Sequence, residues 1–376
     1  MSELLDRAAE LRRAAEKQGI DRGDDTREDA AAAPEPRTGT REPGSASSPT
    51  MTDVHGRRIR YLRVSVTDKC NLRCVYCMPM EGLPWLRREE LLSYEEIARV
   101  VAEMAPLGLE RVRVTGGEPL VRKDLPELIA QISAVPGITD VSLSTNAVLL
   151  AEHAGALRDA GLHRVNVSLD SLRPERVDAI ARRPGSYGRI MAGLAAAEDH
   201  DFTPVKLNVV VMRGRNDDEI EDFARITRDR PWHVRFIELM PVGANLDLSS
   251  AEFVSASEIL DRLGRTESLE PVEGPTGNGP ATYFRLPDAA GTVGVITPMS
   301  HNFCDRCNRM RLTADGQLRP CLFGHLQTDL RTPLRAGESI VPYVRRTLEV
   351  KPLKHELAMG SASGSGGLVA LSQVGG

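Results

Sequence analysis

Cys70-Asn-Leu-Arg-Cys74-Val-Tyr76-Cys77 places three thiols within eight residues, spaced C-x3-C-x2-C. Thiolates ligate zinc and iron–sulfur clusters. Structural zinc takes four ligands, and this loop has no neighbouring histidine to supply the fourth. A four-iron cluster on three cysteines leaves one iron open to bind something else. The remaining cysteines, Cys304, Cys307 and Cys321, form a second triad spaced C-x2-C-x13-C, which completes the count of six. Here zinc stays open as an alternative, because His301 or His325 could be the fourth ligand. Beside this triad stands Asn308-Arg-Met-Arg311. Guanidinium forks bind phosphate oxygens bidentately, so the pair suits an anionic substrate.

Both triads must be held by a scaffold. From Arg57 the chain alternates strands and helices. Strands are expected at 59–66, 111–115, 140–144, 164–169, 205–212 and 233–239, with helices between them. Ser93-Tyr-Glu-Glu96 reads as a capping box opening the first helix. Such alternation specifies a parallel sheet, since each parallel crossover needs a helix. Polar residues inside the strands (Arg63, Asn166, Lys206) and motifs just after them suggest an incomplete (βα)6 TIM-type barrel. A doubly wound open sheet stays open as the alternative. After residue 245 an α+β region follows, with strands at 282–285 and 292–296 and a helix at 340–347. The expected organisation is an N-terminal extension at 1–54, a barrel at 55–245, a second-triad region at 246–358 and a tail at 359–376. A helix could form at 2–18, and the rest of the extension has too little apolar surface to fold.

The 376 residues are 41% hydrophobic with a net charge of −5. Mild acidity argues against general nucleic-acid binding. No apolar run reaches transmembrane length, and no secretory leader opens the chain, so a cytoplasmic protein away from membranes is expected. Even cysteine counts admit disulfides, but two tight triads in such a chain favour metal ligation. No convincing Ser/His/Asp set is present.

The C-x3-C-x2-C loop, with an aromatic residue before its last cysteine, resembles the radical S-adenosylmethionine enzymes. Thr115-Gly-Gly-Glu-Pro119, one unit later, resembles that family's Gly-Gly-Glu-Pro segment. The resemblance implies a [4Fe-4S] cluster on Cys70, Cys74 and Cys77. It also implies S-adenosylmethionine contacts at Tyr76, Gly117 and Ser168, with Met240 at the adenine-packing position. The second triad, the Arg63-Val-Ser-Val-Thr-Asp-Lys-Cys70 lead-in, Phe236-Ile-Glu-Leu-Met-Pro241 and the Gly-Gly end are similar to the GTP-cyclising branch that opens molybdenum cofactor biosynthesis. That branch implies a second [4Fe-4S] cluster on Cys304, Cys307 and Cys321. It places GTP contacts at Arg63, Arg113, Ser144, Lys206, Arg309 and Arg311. Ser144, which could also serve the cofactor, stands where the branch often has threonine, and Lys206 aligns only after a one-residue shift.

The same branch implies two partners. A flavodoxin- or ferredoxin-like protein would donate electrons, a cyclic pyranopterin monophosphate synthase would take the product, and a homodimer is one option for an oligomeric state that stays open. It also implies a tail inserted into the active site, giving Gly375 and Gly376 a catalytic role together with Arg63. Sixteen residues follow Gly360, a flexible coil of roughly 20–24 Å, long enough to return to a barrel mouth.

Overall fold

The computed structural model describes residues 50–241, 250–275, 279–355 and 371. The expected helix at 2–18 and Gly375 and Gly376 lie outside these residues.

Six strands form the scaffold: β1 (Tyr61–Ser65), β2 (Arg111–Thr115), β3 (Asp140–Thr145), β4 (Arg164–Ser168), β5 (Lys206–Val211) and β6 (His233–Glu238). Between them run α1 (Tyr94–Met104), α2 (Leu125–Ser133), α3 (Leu150–Asp159), the pair α4 (Pro174–Ala181) and α5 (Ser186–Asp199), and α6 (Ile220–Asp229). The Ser93 box is present: its hydroxyl accepts from the Glu96 amide, and the Glu96 carboxylate accepts from the Ser93 amide. The six strands lie in sequence order, all parallel. Consecutive order has no reversal point, so the array is barrel-like and not doubly wound.

The C-terminal region extends this array at both ends. It comprises α7 (Ala256–Thr266), β7 (Glu270–Val272), β8 (Thr282–Arg285), β9 (Thr292–Ile296), β10 (Arg309–Leu312), β11 (Gln317–Arg319), β12 (Thr328–Asp329), α8 (Arg331–Arg335) and α9 (Val341–Glu349). β9 pairs parallel with β6, and β10 pairs parallel with β1. Eight parallel strands therefore run in the order β10, β1 to β6, β9, with antiparallel β7–β8 and β11–β12 outside them. No ladder joins β9 to β10 among the described residues. The segment between Cys307 and Cys321 thus enters the sheet itself, as β10 and β11. Arg309 and Arg311, expected beside a cluster loop, sit on β10, adjacent to β1.

Alternation divides each strand between two faces. Leu62, Val64, Val112, Val114, Val141, Leu143, Val165, Val167, Leu207 and Val234 are completely buried in one core with α1, α2, α3 and α5. The residues between them turn the other way. These are Arg63, Arg113, Ser142, Asn166, Lys206 and Arg235, and they form the polar inner face.

Candidate active site

Strand register aligns the inner face. Arg311 pairs with Arg63, Arg63 with Arg113, and Arg113 with Ser142. One level on, Ser144 pairs with Asn166, Asn166 with Lys206, and Lys206 with His233. Arg113 Nε donates to Ser142 Oγ at 3.1 Å, and its guanidinium lies over the Tyr61 ring. Arg235 Nη2 donates to Asn166 Oδ1 at 2.7 Å. Arg164 pairs with Asp140.

The cations of this face repel one another. Burial presses the Lys206 ammonium down to about 6, with Arg235, Arg164 and Arg113 adding to it. Burial and then Arg309 lower Arg311 to about 10, while burial and then Arg311 lower Arg63. Concentrated buried positive charge of this kind is relieved by an anionic ligand.

The first triad follows β1, at the carboxyl end of the strands where such barrels carry their sites. The three sulfurs are close enough that Cys77 and Cys70 add to the effects of burial and Asp170 in raising the Cys74 thiol. Cys70 Sγ accepts from the Leu72 amide at 3.4 Å and lies 3.9 Å from Asn146 Nδ2. Tyr76 donates its hydroxyl to Asp170 Oδ2 at 2.8 Å. A narrow cavity of about 30 Å³ opens here, lined by Cys74, Tyr76, Asn146, Ser168 and Asp170 among others. The structure thus brings Tyr76 and Ser168 together beside the triad. Met240 follows β6, half-buried, outside the lining of this cavity.

Gly116 and Gly117 lie against the strand-to-cysteine link. A Cβ on Gly117 would stand 2.4 Å from the Lys69 carbonyl oxygen, and one on Gly116 2.6 Å from that of Thr67. The next residue, Glu118, accepts from the Leu120 amide (3.0 Å), Thr145 Oγ1 (2.8 Å) and the Asn146 amide (2.7 Å). Burial nevertheless pushes its carboxyl up to about 7. Glu118 therefore braces the loop after β2 against the loop after β3.

The second triad borders a larger cavity of about 350 Å³, lined by Gly274, Thr282, Tyr283, Phe303, Cys307 and Arg309 among others. Arg309 stacks on Phe303, with its guanidinium carbon 4.9 Å from the ring centroid. Burial raises the Cys307 thiol, but Arg309 and Lys351 outweigh it and the net effect is a pKa of about 7. Cys321 and Cys307 add to burial in raising Cys304. All six cysteines are free thiols.

A Radical SAM superfamily model matches residues 64–226, and a Molybdenum Cofactor Synthesis C model matches residues 232–357. The chain is 49% identical to the GTP 3′,8-cyclase of Pelotomaculum thermopropionicum, over 82% of this chain and 96% of that protein. It is 47% identical to the GTP 3′,8-cyclase of Moorella thermoacetica, over 87% of this chain and all of that one. This chain belongs to the GTP 3′,8-cyclase family. Among solved structures, Streptococcus suis SuiB bound to S-adenosylmethionine aligns with a TM-score of 0.54 at 13% identity, over 78% of this chain and 69% of that one, a likeness of fold.

The donor sets fit what the GTP 3′,8-cyclase family implies. Each triad offers three free thiols gathered at one place. Among the described residues no three ligating groups converge on a single ion. A cluster takes one thiolate per iron and so spreads its ligands more widely than one ion does. Burial holds the Cys70 thiol up at about 11. A bound cation reverses such a shift, because a coordinating thiol is deprotonated outright.

Several residues escaped the sequence reading: Ser142, Asn146, Asp170, Arg235 and the pair Arg57 and Lys351. Arg235 carried a usable signal, an arginine alternating with Val234 and Phe236 inside a strand. Asp170 and Asn146 sit in loops just past strand ends, where sequence gives no side-chain direction.

Proposed function

We propose that this chain cyclises GTP to (8S)-3′,8-cyclo-7,8-dihydroguanosine 5′-triphosphate, the lyase-class first step of molybdenum cofactor biosynthesis. The observation that carries this is 49% identity to a GTP 3′,8-cyclase across 82% of the chain. Cations gathered on the inner face between two thiol triads support it.

In this reading Cys70, Cys74 and Cys77 hold one [4Fe-4S] cluster, and Cys304, Cys307 and Cys321 hold the other. Bound beside the first triad, S-adenosylmethionine would supply, with loss of methionine on one-electron reduction, a carbon radical able to take the ribose 3′ hydrogen. Tyr76, Gly117, Ser168 and Met240 receive the cofactor. Arg63, Arg113, Ser144, Lys206, Arg309 and Arg311 orient GTP, and their charges answer the triphosphate. The buried inner face keeps water from the reacting carbons. Gly375 and Gly376 act together with Arg63 in catalysis. Residues 55–245 act as the barrel and 246–358 as its second-cluster partner.

The enzyme works in the cytoplasm, where a flavodoxin- or ferredoxin-like donor supplies electrons. A cyclic pyranopterin monophosphate synthase takes the product, and the chain pairs as a homodimer. No described helix is long and apolar enough to cross a membrane.

The test is anaerobic reconstitution with dithionite, S-adenosylmethionine and GTP. GTP-dependent formation of the cyclised triphosphate is expected, and its absence from protein carrying both clusters would refute the reading. A C-terminally extended chain should keep both clusters and lose turnover, and full activity in it would remove Gly375 and Gly376 from the site.

A further inference from the structure

Lys351 follows α9 and is 3% exposed. Its Nζ donates to the Pro320 carbonyl at 2.5 Å and the Arg309 carbonyl at 2.9 Å, and lies 3.7 Å from Cys307 Sγ. Pro320 precedes Cys321, and Arg309 is two residues beyond Cys307. One ammonium therefore ties together the two segments that carry these thiols. No ion pair with a carboxylate is formed by Lys351 among the described residues. The sulfur beside it is that of Cys307, a ligand of the second triad.

Arg57 works beside it. Its guanidinium donates to the carbonyls of Cys304 (2.6 Å), Leu353 (2.9 Å) and Pro352 (2.6 Å), and pairs with Asp53 at 2.7 Å. Residues 351–353 thus form a strap that touches all three cysteine segments, through Lys351 on one side and Arg57 on the other. A buried cation without a carboxylate is costly unless another negative charge balances it.

We propose that Lys351 is a positioning residue for the second triad, and that its charge is balanced by the thiolates and the cluster they hold. This rests on the reading that Cys304, Cys307 and Cys321 bind a cluster. A one-electron reduction makes that cluster more negative, so a fixed cation 3.7 Å from a ligand sulfur favours the reduced form. Lys351 thereby holds the second cluster's potential up, while leaving the first cluster's potential alone.

The test uses the full chain with Cys70, Cys74 and Cys77 changed to Ser, so that only the second cluster is read. Reconstituted anaerobically, this parent should hold about four irons. No iron in the parent would sink the second-cluster reading itself, separately from the role of Lys351. In Lys351→Gln, an amide still donates to a carbonyl but the charge is gone. About four irons should remain, and the midpoint potential, followed by electron paramagnetic resonance, should fall. A tenfold or larger shift in the reduction equilibrium is expected, about 59 mV for one electron. An unchanged potential with four irons overturns the proposal. If Lys351→Gln loses its iron, Lys351→Arg decides. Retention of four irons at the parent's potential supports a role for the charge, and loss of iron there too overturns it.

Discussion

Arg63 on β1 and Arg311 on β10 stand opposite each other across a parallel ladder, two cations in register on adjacent strands. They are 248 residues apart in sequence (311 − 63) and belong to different segments of the chain. Arg311 is a main contributor, after burial, to the lowering of Arg63. The strand added by the C-terminal region thus sets a second, buried arginine beside the first.

Arg311→Ala and Arg63→Ala should each weaken GTP binding. A charge-assisted hydrogen bond to phosphate contributes about 1.5–3 kcal/mol, roughly ten- to a hundredfold in Kd. Calorimetric titration of GTP into cluster-loaded protein measures this. Unchanged affinity in both variants would remove the pair from the substrate site.

Lys206 gives a pH signature. Its ammonium sits at about 6 in the free protein, so it is mostly neutral at pH 7.5. A triphosphate placed beside it raises that pKa, and binding then takes up a proton. GTP affinity should therefore fall as pH rises above about 6. The heat of binding should change between buffers of different ionisation enthalpy, and Lys206→Met should abolish that difference. Equal proton uptake in the variant would place the titrating group elsewhere.

Gly117→Ala should damage the cofactor loop. The added methyl meets the Lys69 and Asp68 carbonyl oxygens at 2.4 and 2.6 Å, both backbone atoms. Overpacking of this kind costs about 1–3 kcal/mol. A lower thermal midpoint and weaker S-adenosylmethionine binding are expected together. A variant that binds the cofactor as the parent does would show that the loop can shift freely.

The two triads should separate by function. Cys70→Ser should abolish cleavage of S-adenosylmethionine. Cys321→Ser should bring iron from about eight to about four per chain, spare uncoupled cleavage and lose the cyclised product. Equal loss of both activities in Cys321→Ser would contradict this division of labour.

The six-unit array was legible because strands such as Arg111–Thr115 alternate strictly and Ser93 caps its helix with Glu96. The cysteines and Gly-Gly-Glu-Pro were legible from spacing. β10 was not, because Arg309–Leu312 is four residues long, carries two charges and sits between the cysteines of a metal-like motif. Its pairing with β1 is set by contacts remote in sequence, which no local pattern reports. The same holds for Lys351, which reads as an ordinary post-helix lysine until the loops before Cys321 and after Cys307 fold against it. Glu118 was visible as part of a motif, but its bracing of Thr145 and Asn146 was not.

The most direct measurement is deuterium transfer from GTP labelled at the ribose 3′ carbon. Cluster-loaded protein is incubated anaerobically with dithionite, S-adenosylmethionine and the labelled GTP, and the released 5′-deoxyadenosine is weighed by mass spectrometry. One deuterium gained, together with the cyclised triphosphate, is predicted. Release of unlabelled 5′-deoxyadenosine, or none at all from protein carrying both clusters, would contradict GTP cyclisation on the inner face between the two triads.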